Sequence, residues 1–184
     1  MNKNLFKNRA LIFILVSAVL IMGAYTMSQD STEGKKVQLE TTMGKIVIEL
    51  DSNMPITAGN FEKLVSEGFY DGTIFHRIIN GFMIQGGDPQ GTGMGGPGYT
   101  IKDEFLKNNK NSRGTISMAN AGPNTGGSQF FINLVDNNFL DAKHPVFGKV
   151  VEGMDVVDSI ALVDTDSNDR PLEEVRILNA GLIE

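Results

Sequence analysis

Apolar and polar positions alternate at Val37 and Leu39, and again at Ile46, Ile48 and Leu50, with Thr41-Thr42-Met43-Gly44 between them. A period of two predicts a hairpin with one buried face. From Pro55 to Glu67 the period changes. Phe61, Leu64 and Val65 share one helical face, Thr57 is placed to cap the start, and Gly68 stops the helix. Ile74 to Ile79 and Phe82 to Gln85 are two further strand candidates around Asn80-Gly81, a two-residue turn signal. Seven glycines and two prolines lie between Gly86 and Gly98, which predicts a long shaped loop. Ile116 to Ala119, Gln129 to Val135 and Pro145 to Val151 read as strands, and Met154 to Leu162 as a second helix. Val175, Ile177 and Leu178 mark a last strand. About eight short strands and two helices predict a mainly β fold, a closed or nearly closed barrel whose openings the helices cover.

The first 28 residues do not fit this pattern. Lys3, Lys7 and Arg9 precede an uncharged apolar run of 16 residues, Ala10 to Tyr25. That length falls between a signal-peptide core and a spanning helix, so residues 1–28 read as a signal peptide or an N-terminal membrane anchor, with anchoring through residues 10–27. Either reading exports the rest of the chain, as a secreted or a membrane-anchored protein outside the cytoplasm. Gln29 to Lys35 reads as a linker, and residues 36–184 as one globular domain. The chain has no cysteine, which excludes a lipid-anchored lipoprotein and leaves stability to the core. Beyond the leader stand 13 Lys and Arg against 22 Asp and Glu, a net charge of −9. Such a surface repels nucleic acid.

Chemistry concentrates in Phe75-His76-Arg77-Ile78-Ile79-Asn80-Gly81-Phe82-Met83-Ile84-Gln85-Gly86-Gly87-Asp88. A guanidinium among so many large apolar side chains either pairs with a carboxylate or faces a cleft that a ligand completes. The other signals are weaker. His76 and His144, without cysteine, make a poor zinc set, and no Ser-His-Asp arrangement assembles around them. Gly91-Thr92-Gly93-Met94-Gly95-Gly96 lacks the lysine of a phosphate loop. Asp164-Thr165-Asp166-Ser167-Asn168-Asp169 begins like a calcium loop, but Asp169 stands where glycine belongs and Val175 where glutamate does, so it reads as a turn. No metal or cofactor is expected. Phe82, Phe130, Phe131, Phe139 and Phe147 divide between core packing and the lining of a pocket.

These residues bear a resemblance to the cyclophilin-type peptidyl-prolyl isomerases. It rests on Phe75 to Ile79, Gly81 to Asp88, Ser117 to Thr125, Gly127 to Ile132, Phe139 to His144 and Val146 to Val150, in that order. The resemblance implies an eight-stranded antiparallel closed barrel with two capping helices and a groove on its outer face. It implies acceleration of rotation about X–Pro bonds in proline-containing peptides and in unfolded or partly folded proteins. Arg77 matches the catalytic arginine. Phe82, Met83, Phe131 and Leu140 match the proline pocket, with His144 at its edge. Gln85, Ala119, Asn120 and Gln129 match groups that hold the peptide backbone. Phe139 stands where the family commonly has tryptophan; the lost indole N–H weakens the case for tight cyclosporin binding.

One conflict follows. A two-residue hairpin at Asn80-Gly81 pairs Arg77 with Ile84 and puts Gln85 on the opposite face. A groove that holds both requires a bulge or a wider turn between Ile79 and Gln85.

Overall fold

A computed structural model describes residues 34–184. The leader, and with it the signal-peptide and anchor readings, lies outside the described residues. Eight strands form one antiparallel sheet: β1 (Lys36–Thr41), β2 (Gly44–Leu50), β3 (Arg77–Ile79), β4 (Met83–Gly86), β5 (Thr115–Met118), β6 (Phe130–Asn133), β7 (Val146–Glu152) and β8 (Ile177–Ile183). Helix α1 spans Thr57–Ser66 and α2 spans Met154–Ile160, and a single 3₁₀ turn covers Asn138–Leu140.

The sheet order is β3-β4-β6-β5-β7-β2-β1-β8. It is an open half-barrel rather than the closed barrel expected, with β3 and β8 as its edges. The chain just before each edge strand meets the other through the bridge Ile74–Arg176 and the bonds from Phe75 N–H to the Val175 carbonyl (2.9 Å) and from Ile177 N–H to the Thr73 carbonyl (2.8 Å). The ladder goes no further because β3 is three residues long and the N–H of Ile78 donates to the carbonyl of Asp169 (2.8 Å), not to β8.

The helix over the core follows its sequence pattern, except at its start. Phe61, Leu64 and Val65 are buried as expected, and Phe61 packs edge-on against Phe130 at 5.4 Å and beside Phe147 at 5.2 Å. Thr57 does not cap the helix; it is the first helical residue, and its Oγ1 has no partner among the described residues. The carboxylate of Glu104 takes the cap role, accepting from the N–H groups of Ile56 (3.0 Å) and Thr57 (2.9 Å), where a negative charge also suits the helix dipole. The last strand runs well past Leu178, to Ile183; its outward Leu178, Leu182 and Ile183 are exposed and break the alternation that would have marked it.

Candidate active site

The turn between β3 and β4 decides which side chains meet. Ile79 pairs with Met83 and Arg77 with Gln85, so the loop is Asn80-Gly81-Phe82, one residue wider than the simple hairpin. Gly81 takes a φ of 73°, which a side chain would strain. The N–H of Phe82 closes the turn on the Ile79 carbonyl (3.0 Å). The extra residue brings Arg77 and Gln85 onto one face, as the conflict in the sequence required.

Register extends that face across four strands. Arg77 sits opposite Gln85, Gln85 opposite Phe131, and Phe131 opposite Ser117. The next row on the same face pairs Ile79 with Met83 and Met83 with Asn133. The alternate positions, Ile78, Ile84, Ile132 and Ile116, belong to the interior core. Among the aromatics, Phe130 and Phe147 are core, whereas Phe82, Phe131 and Phe139 belong to the outer face. Phe82 stacks on Phe139 with centroids 5.9 Å apart, and Phe139 itself is 70% exposed. Phe131 meets His144 edge-on at 5.3 Å. The Nδ1 of His144 lies 3.1 Å from the Met118 carbonyl, a bond that needs its proton on Nδ1. Leu140 is half-buried on the 3₁₀ turn, and its carbonyl accepts the N–H of His144 (3.0 Å).

Arg77 takes the first alternative raised by its sequence setting, a carboxylate partner. Its Nε donates to Asp169 Oδ2 at 3.4 Å, and the side chain is still 44% exposed on the site face. Beside it, Gln85 donates to Gln129 Oε1 (2.9 Å) and Gln129 donates to the carbonyls of Gly93 (3.0 Å) and Gly95 (2.9 Å). This chain borders a groove of about 460 Å³ between the glycine-rich loop and the loop Ala119–Gln129, lined also by Ala119 and Asn120. The Asn120 amide donates to the Lys143 carbonyl (2.8 Å), tying that loop to the one that carries His144. Ten of the eleven predicted residues are thus placed by register, a ring contact, a side-chain hydrogen bond or the shared groove. Leu140 joins them only through its carbonyl.

Several supporting residues are not picked out as such by the sequence. Asp88 is fully buried, and its carboxylate accepts from the N–H groups of Gln90 (2.8 Å), Thr92 (2.9 Å), Gly93 (2.7 Å) and Gly95 (3.1 Å). Burial alone would raise this carboxyl, but the four N–H groups outweigh it and hold it below the usual carboxylate range. A Cβ on Gly95 would stand 1.9 Å from Asp88 Oδ1, so the wrap requires glycine there. Behind the aromatic wall runs a buried polar chain. Asn137 donates to the Phe82 carbonyl (2.9 Å) and to Asn133 (2.9 Å), Asn133 to Ser117 (3.2 Å), Ser117 to Asn111 (2.7 Å), and Asn111 to the His144 carbonyl (3.2 Å). Asp88, Gly95 and Ser117 lie within segments the sequence singles out; Asn111, Asn133 and Asn137 are isolated amides with no local signature. His76, next to Arg77, is buried with no hydrogen-bond partner among the described residues, and burial lowers its pKa. Its ring lies under Gly93 of the glycine-rich loop, where it serves as packing.

Among the described residues no group of three or more His, Cys, Asp or Glu side chains could hold a metal ion. The arrangement offers one fixed cation, an apolar aromatic wall, and amide donors and acceptors along one side.

A pattern described as cyclophilin type peptidyl-prolyl cis-trans isomerase matches residues 36–182. A protein of Gibberella zeae named peptidyl-prolyl cis-trans isomerase-like 1 is 51% identical over 153 residues, covering 80% of this chain and 94% of its own length. The Homo sapiens protein of the same name is 48% identical over 156 residues, covering 82% and 94%. A crystal structure of a cyclophilin-type isomerase from Cryptosporidium parvum superposes with a TM-score of 0.79 at 37% identity, covering 82% of this chain and 98% of that one. A second crystal structure of that protein, determined in the presence of the dipeptide Ala-Pro, gives 0.78 at 37% identity, covering 81% and 99%.

Proposed function

The chain belongs to the cyclophilin-type peptidyl-prolyl cis-trans isomerase family, enzymes that bind proline-containing peptides, and on that premise we propose that Arg77 is the group that lowers the rotation barrier. The observation that carries this reading is the row Arg77–Gln85–Phe131, which sets a guanidinium beside an aromatic surface on one face of the sheet.

Rotation about an X–Pro bond breaks no covalent bond, yet its barrier is roughly 18–20 kcal/mol because amide resonance must be lost. In the twisted state the proline nitrogen carries a localised lone pair. A guanidinium aimed at that nitrogen favours the twisted amide over the planar one, and only such differential binding accelerates the step. Phe82, Met83, Phe131 and Leu140 take the ring, with His144 and Phe139 at the rim. Gln85, Gln129, Ala119 and Asn120 hold the flanking backbone so that one side of the bond stays still while the other turns.

The apolar run in residues 10–25 and the basic residues before it support an exported enzyme. In this reading residues 1–28 are a signal peptide or anchor, 29–35 a linker, and the isomerase domain assists the folding of proteins outside the cytoplasm. Among the described residues no helix is long and apolar enough to cross a membrane.

Arg77→Ala tests the site. By analogy with an oxyanion-hole donor, loss of one such contact costs about 10²–10³ in kcat/KM on a proline peptide. Stability to urea stays within about 0.5 kcal/mol, as for other exposed positions. Full retained activity would remove Arg77 from the mechanism, and peptide binding without any acceleration would point to a binding module.

A further inference from the structure

Arg77 is gripped from a place 92 residues away in the chain. Asp169 lies at the end of a tight turn in which the N–H of Asp169 donates to the Asp166 carbonyl (3.1 Å) and the N–H of Asp166 to the Arg170 carbonyl (2.8 Å). The Asp166 carboxylate closes the same turn by accepting from the N–H groups of Asn168 (2.7 Å) and Arg170 (3.1 Å). Asp169 is one of two non-glycine residues with positive φ among the described residues, at 63°. Aspartate tolerates that conformation better than most side chains.

From this turn Asp169 holds β3 twice. Its carbonyl accepts the N–H of Ile78, the residue after Arg77, at 2.8 Å. Its carboxylate accepts from Arg77 Nε at 3.4 Å and is the guanidinium's one hydrogen-bond partner among the described residues. The next residue, Arg170, donates through its guanidinium to the carbonyl of Gly91, so the same turn also ties down the glycine-rich loop.

We propose that Asp169 is a positioning residue: it anchors Arg77 through Nε and leaves both terminal amino groups of the guanidinium for the twisting amide. This rests on the catalytic reading of Arg77. A free arginine side chain samples many rotamers. A carboxylate on Nε removes part of that freedom before the peptide arrives, and the fork is held in one plane. The carboxylate binds where the substrate does not, so the effect belongs in kcat rather than in KM.

The test uses the intact protein with Asp169→Gly and Asp169→Asn, each alone and with Arg77→Ala. Glycine keeps the left-handed backbone and removes the carboxylate. Asparagine keeps a neutral acceptor in the same conformation. An exposed ion pair is worth roughly 0.2–1 kcal/mol, so kcat for Asp169→Gly falls about 1.4- to 5-fold with KM unchanged. Asp169→Asn recovers part of that loss. In the Arg77→Ala background Asp169→Gly has no further effect. The Arg77 Nε–Hε signal in a nitrogen–proton NMR spectrum moves in Asp169→Gly. An equal kcat loss in both backgrounds would assign Asp169 a structural role only and overturn the proposal. So would an unchanged kcat with an unmoved Nε–Hε signal. If Arg77→Ala is itself fully active, the catalytic reading fails on its own, and the NMR signal alone still decides whether Asp169 holds Arg77.

Discussion

Strands β3, β4, β6 and β5 present two adjacent rows on opposite faces, and the two rows have opposite characters. The inner row runs Ile78, Ile84, Ile132, Ile116, none more than 2% exposed. The outer row, one residue along each strand, runs Arg77, Gln85, Phe131, Ser117. The inner row is interchangeable hydrocarbon; the outer row is a specific sequence of charge, amide, ring and hydroxyl. Burying an isoleucine side chain is worth roughly 1.5–3 kcal/mol, so the inner row strongly resists slippage of the strands. Because a slip of one residue swaps the faces, the same force that holds the core also holds the outer row in line. The core thereby aligns the site without touching a substrate.

The sharpest way to break this comparison is to damage each row separately. Ile84→Ala removes inner packing and lowers stability by about 2–5 kcal/mol, read from the urea midpoint, while kcat per folded molecule stays near that of the unaltered protein. Arg77→Ala does the reverse. If Ile84→Ala left stability intact but cut kcat, the division between the faces would be wrong.

A smaller effect comes from the wrap around Asp88. Asp88→Asn loses charge-assisted bonds to the glycine-rich loop worth roughly 1.5–3 kcal/mol. Amide hydrogen exchange at Thr92, Gly93 and Gly95 should rise with it. The acid response has a definite sign. The folded-state pKa of Asp88 lies below its ordinary value, so its contribution is complete above about pH 4 and is lost as pH falls through the lower folded value. In Asp88→Asn that part of the acid transition disappears; an unchanged acid profile would show that the loop is held by other means.

The smallest effect belongs to the rim. Phe139→Ala removes a stacked partner of Phe82, a pair worth roughly 0.5–1.5 kcal/mol, so it lowers stability by about that amount and raises KM with kcat unchanged. A change in kcat instead would group Phe139 with the row of Arg77.

Much of both rows is legible in the amino-acid sequence. The segments that carry Ile78, Ile84, Ile116 and Ile132 are legible as short apolar strands, though not which residues of each turn inward, and the odd arginine and glutamine mark the segment of the candidate site. The wider turn at Asn80-Gly81-Phe82 is legible as a contradiction, since a regular hairpin would set Arg77 and Gln85 apart. Other features leave no local trace. Glu104 caps a helix 47 residues earlier, Asp169 reaches Arg77 from a turn that reads as a failed calcium loop, and Asn137 supports the Phe82 carbonyl across 55 residues. A single carboxylate or amide has no periodicity, so nothing in its neighbourhood reports what it will bond.

The sequence by itself determined what depends on local repetition and on side-chain chemistry: which positions alternate, where glycine breaks a strand, that the one strongly placed cation is Arg77, and the family to which such motifs correspond. Tertiary structure alone decided what depends on register and on long-range hydrogen bonds. It set Gln85 across from Arg77, left the sheet open between β3 and β8 instead of closing it, and brought Asp169 to the outer edge of β3. The physical reason is the reach of the forces concerned. Hydrophobic patterning is written along the chain, whereas a hydrogen bond fixes two groups only after the fold has brought them within about 3 Å of one another.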